Sequence, residues 1–73
     1  MNRNIKTQLS KLSVTTEEVK QISIKIQEMD LHKYIGDLCG IKDKTVGAQL
    51  RMEIPLNWKV LHECRKIIKS LNN

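Results

Sequence analysis

Between Leu38 and Val46 the chain reads LCGIKDKTV, two apolar clusters held apart by one glycine and a short polar run. A single helix through this stretch would carry Gly40 at a cost of about 1 kcal/mol relative to alanine. A turn at Gly40 avoids that cost, because a residue without Cβ enters the left-handed region freely. The stretch therefore predicts two short helices joined by a tight turn. Pro55 forbids continuation of the second helix.

The rest of the chain is compatible only with a small helical domain. Its 73 residues lie near the lower limit at which an apolar core holds a fold without staples. Tyr34 and Trp58 are its only aromatics, and Ile, Leu, Val and Met supply most of its apolar side chains. These suit interdigitated helices better than a ligand cavity. The expected fold is all-α, a bundle of four to five helices, with no cofactor and no small-molecule substrate. No nucleophile, base and orienting acid stand in a catalytic arrangement, so an enzyme is not expected.

Apolar spacing and capping residues outline the elements. Ile5, Leu9 and Leu12 recur at helical spacing within residues 1–15, read as a basic arm or short helix ahead of a domain at 16–73. Thr15 or Thr16, before Glu17 and Glu18, is an N-cap with acids where the helix dipole favours them. Val19, Ile22, Ile26 and Met29 then lay one stripe along a helix ending near Glu28. Alternation of Ile22, Ile24 and Ile26 also fits a strand and a ribbon-helix-helix dimer. The helix is preferred, because Val19 and Met29 extend the stripe and no second strand signal exists. Asp30 is read as the cap of a helix over Leu31 to Cys39, and Asp43 as the cap of one over Lys44 to about Met52. Asn57 caps a last helix in which Leu61, Cys64, Ile68 and Leu71 form one line beside Val60 and Ile67.

The formal net charge is +5, unevenly distributed. Residues 1–12 carry Arg3, Lys6 and Lys11 and no acid, residues 13–40 are net acidic, and residues 41–73 carry seven basic against three acidic groups. That polarity turns a positive surface toward a polyanion. Cys39 and Cys64 sit among apolar neighbours and read as buried, reduced thiols of a cytoplasmic protein. No apolar run spans a bilayer, so no membrane association is expected. His32, Cys39, His62 and Cys64 have no zinc-site spacing, and no metal is expected.

Two short helices joined by a glycine turn, the second basic, describe a helix-turn-helix unit. The segment Gly36-x-x-Cys39-Gly40-Ile41-x-x-x-x-Val46 is similar to the Cro and lambda-repressor-like regulators of phages. The following Ile54-Pro55 resembles the lambdoid phage transcriptional activators, and the likeness extends over roughly residues 16–71. Where many members of that group carry a large apolar or aromatic residue before Leu50, this chain has Gln49, which implies a different anchoring of the second helix.

In such a unit the second helix enters the major groove and flanking cations hold phosphates. The implied base-contacting positions are Asp43, Lys44, Thr45, Gly47 and Ala48. Lys44 would donate to guanine or merely touch phosphate, Asp43 would accept from cytosine or merely cap its helix, and Gly47 would let the backbone approach. Lys42 and Arg51 are the first candidates for phosphate contact, with Lys33 and Lys59 behind them. One such helix reads few base pairs, so a homodimer is expected, with Trp58, Ile67, Ile68 and Leu71 at its interface or covering the monomer's own core.

The functional expectation is a double-stranded-DNA-binding transcriptional regulator of Cro type from a phage or other mobile element. Repression is favoured, since no separate activation or ligand-sensing domain fits in the chain. The alternative is a protein-binding inhibitor or antirepressor that uses the same helices to mask a nucleic-acid-binding partner.

Overall fold

The computed structural model describes residues 3–72, with the side chain of Arg3 excepted; that residue's part in a basic arm lies outside the described residues. Five helices follow one another: α1 (Arg3–Lys11), α2 (Thr16–Glu28), α3 (His32–Cys39), α4 (Asp43–Leu50) and α5 (Trp58–Leu71). No strand occurs among the described residues, and Ile24, central to the strand alternative, is half exposed on the outside of α2.

Every helix contributes to one core. Ile5 and Leu9 of α1 join Val19, Ile22 and Ile26 of α2, Ile35 of α3, Val46 and Leu50 of α4, and Val60, Leu61 and Cys64 of α5. Loop residues Val14 and Leu56 complete it. The first helix is thus packed into the same core as the rest. Burial also pushes the Cys64 thiol up to about 12, and raises the half-buried Cys39 as well.

Helix starts follow side-chain chemistry where such chemistry is present. Thr15 caps α2 by accepting from the Glu18 amide at 3.0 Å, and Asn57 caps α5 by accepting from the Lys59 amide at 2.7 Å. The two predicted aspartate caps are corrected. Asp30 lies in the left-handed region at φ 53° and ends α2, while Leu31 opens α3 without a side-chain cap bond. Asp43 is already the first residue of α4, which begins at the extended backbone of Lys42; its carboxylate accepts from the adjacent Lys44 amide at 2.9 Å.

The ends of α1 to α4 share one device. At the end of α2 the Leu31 amide donates to the Ile26 carbonyl and the Asp30 amide to that of Gln27. The same pair of bonds closes α1 through Ser13 and Val14, and α4 through Met52 and Glu53. In α3 the left-handed residue is Gly40, after which the Ile41 amide donates to the Gly36 carbonyl at 2.9 Å. This left-handed closure satisfies orphan carbonyls and turns the chain sharply.

Two glutamines hold the link between α4 and α5. Gln8 of α1 reaches Leu56 twice, donating to its carbonyl at 2.6 Å and accepting from its amide at 2.9 Å. Gln49, buried at 6% exposure, accepts from the Asn57 amide at 2.9 Å.

Candidate nucleic-acid interface

The α3–α4 pair is the most extensively packed pair of helices in the molecule. Gly36 permits it: a Cβ there would stand 2.6 Å from the Ile41 carbonyl oxygen and 3.3 Å from the Asp43 amide nitrogen. With Gly40 reversing the backbone, Ile35, Val46 and Leu50 seat both helices in the core. α4 is thereby left with one outward stripe. At 3.6 residues per turn, Lys44, Gly47, Ala48 and Arg51 share that stripe, opposite Val46, Gln49 and Leu50.

Cations expected to hold phosphates or read bases converge here from opposite sides of the turn. Lys33 of α3, Lys44 of α4 and Arg51 just after α4 line one shallow depression of about 380 Å³, together with Asp30, His32, Asp43 and Gly47. Lys42 is exposed immediately before α4, beside Asp43 and Lys44. Lys59 is set apart, in the first turn of α5 and close enough to Cys39, at the far end of α3 from Lys33, to act on its thiol.

The base-reading candidates differ in access. Asp43 and Lys44 are exposed, and Thr45 and Ala48 are half-buried. Gly47 is buried, because the Arg51 guanidinium lies over it; Nη1 is 2.9 Å from where a Cβ would stand. Gly47 therefore presents little surface while Arg51 keeps this position. Arg51 itself is engaged, donating from Nε to Glu53 at 2.9 Å and from Nη2 at 3.3 Å. That pairing holds the Glu53 carboxyl below the usual carboxylate range and raises Arg51 in turn. The fork and carboxylate are both solvent-exposed.

The four apolar residues assigned to a homodimer interface do not form one patch. Ile67 and Ile68 are partly buried against the core, whereas Trp58 and Leu71 are 65% and 54% exposed. Trp58 is about half a turn around α5 from Ile67, on the solvent side, where its ring stands 6.5 Å from that of His62. Leu71 continues the inward stripe of Val60 and Cys64 but extends past the last core residue.

Sequence periodicity does not reveal the roles of Gln8, Gln49 and Arg65, since each acts on a group outside its own helix, nor that of Glu53, which stands in the loop after α4 and pairs with Arg51. His32, which the sequence offers only as a metal ligand, lines the cationic depression instead. Among the described residues no group of three His, Cys, Asp or Glu side chains is placed to hold a metal, and no helix is long and apolar enough to cross a membrane. Comparison of the chain with family models, with curated proteins and with solved structures finds no match.

Proposed function

We propose that this protein is a DNA-binding transcriptional regulator whose α3–Gly40–α4 segment works as a lambda-repressor-like helix-turn-helix, with α4 in the major groove. The observation that carries the reading is the convergence of Lys33, Lys44 and Arg51, from both sides of a tight glycine turn, on one exposed depression. A net charge of +5 supports association with a polyanion. In this reading Lys44 and Ala48 meet base edges, Asp43 orients Lys44, and Lys33, Lys42 and Arg51 hold phosphates. Repression by occlusion of a promoter, as a homodimer, is the form of regulation proposed.

Titration of a mixed-sequence duplex by fluorescence anisotropy tests the reading. Binding is expected to weaken as salt rises, and Lys33→Ala and Arg51→Ala each make the log–log salt slope shallower by about 0.9 for every phosphate left unneutralised. Selection from a random duplex pool is expected to return a palindrome, reflecting two subunits. Absence of duplex binding at low salt would reject the proposal. It would favour the second reading, a protein-masking inhibitor, which draws support from the carboxylates of Asp30, Asp43 and Glu53 interleaved with these cations. Such alternation suits a mixed-charge protein surface better than a uniformly negative one.

A further inference from the structure

A second concave surface lies between α2 and α5 and shares no lining residue with the α3–α4 depression. It encloses about 460 Å³ over an apolar floor that includes Ile22 and Ile68. Glu18 of α2 and Arg65 of α5 also line it and are joined by an ion pair at 2.7 Å. Lys25 and Lys69, one from each helix, line it with no carboxylate partner among the described residues. The lining runs from Glu18 to Lys25 and from Arg65 to Asn72, about two helical turns along each helix.

An apolar floor between cationic banks selects its occupant. A second copy seated groove to groove would bring four uncompensated lysines together, which like-charge repulsion opposes. A segment with an apolar side chain flanked by carboxylates meets both requirements, covering the half-buried Ile68 over the already closed Ile22 while neutralising Lys25 and Lys69. We propose that the α2–α5 groove docks a short acidic amphipathic segment of a partner protein, its apolar side chain on Ile22 and Ile68 and its carboxylates on Lys25 and Lys69. The groove stands clear of α4, so a partner held there leaves the DNA-facing surface open.

The test is a methyl-NMR titration of the whole chain with a synthetic two-turn peptide carrying leucines one turn apart and flanking glutamates. Saturable shifts of the Ile22 and Ile68 methyls are expected, with affinity falling as salt rises. Lys25→Gln with Lys69→Gln is expected to weaken binding about fivefold, since it removes two exposed ion pairs. Lys33→Gln with Lys44→Gln, matched in net charge, is expected to leave affinity within about twofold. Absence of saturable shifts, shifts centred on the α3–α4 depression, or equal affinity for a peptide with glutamine in place of glutamate would each overturn the proposal.

Discussion

Gly36 and Gly47 are both buried, yet a methyl group on each would meet a different obstacle. At Gly36 the obstacle is the backbone of the turn, with the Ile41 carbonyl oxygen 2.6 Å away, so α3 would have to part from α4. Gly36→Ala is expected to cost about 1–3 kcal/mol, read as a lower urea midpoint. At Gly47 the nearest atom is the far end of Arg51, which swings aside at little cost. Alanine also suits a helix interior better than glycine by about 1 kcal/mol. Gly47→Ala is therefore expected to leave stability unchanged or raise it by about 0.5 kcal/mol in the same measurement. Gln49 belongs to the same scale. A polar residue in a core-facing position reads as an exception until the Asn57 amide 2.9 Å away accounts for it.

At the scale of the element, α1 to α4 stop where the backbone turns left-handed, at Ser13, Asp30, Gly40 and Met52. Only Gly40 does so without a Cβ penalty. Asp30 is exposed and makes no ion pair among the described residues, so Asp30→Gly is expected to stabilise the fold by about 0.5–1 kcal/mol, visible as a higher Tm. The pairing of α2 with α5 adds a pH-dependent contribution. Arg65 hydrogen-bonds Glu18 through Nε and Nη2, and donates from Nη2 to the Ser13 carbonyl at 3.2 Å, tying the start of α2 to α5. Those bonds hold the Glu18 carboxyl below its ordinary value of 4.5. Because the folded value is the lower one, the stabilisation is complete above that ordinary value and is lost as pH falls through the depressed one. Both side chains are more than one-third exposed, so the contribution is about 0.5 kcal/mol. Glu18→Gln is expected to remove that amount at neutral pH and nothing in strong acid, by urea titration at both conditions.

Over the whole molecule, charge matters more for what the protein meets than for how it folds. Glu53 occupies the guanidinium that the proposed DNA contact requires, so DNA has to displace a carboxylate to reach Arg51. If α4 meets DNA as proposed, Glu53→Gln is expected to tighten duplex binding about two- to fivefold at low salt, by anisotropy, with the gain shrinking as salt is raised. The core, by contrast, is built by all five helices and two loop residues in a chain with a radius of gyration of 11.3 Å. Ile67 and Ile68, expected at an interface, are partly covered by that core, while Trp58 and five other large apolar side chains stay exposed.

The residue order was enough to determine what is settled within a turn or two of chain. The stripe Val19, Ile22 and Ile26 faces inward, Thr15 and Asn57 cap, and Gly40 reverses the backbone, because each depends on neighbours three or four residues away. Asp30 and Asp43 depart from their expected capping places for a related reason: aspartate serves equally at a cap, in a first turn and in a left-handed closure, and local sequence does not choose among them. Tertiary structure alone decided the rest. Gln8 meets Leu56 and Arg65 meets Glu18 across separations of 48 and 47 residues, Arg51 covers Gly47 on its way to Glu53, and Lys33 joins Lys44 only after α3 folds back on α4. Contacts between distant segments depend on how helices cross, and crossing is set by the packing of the whole core.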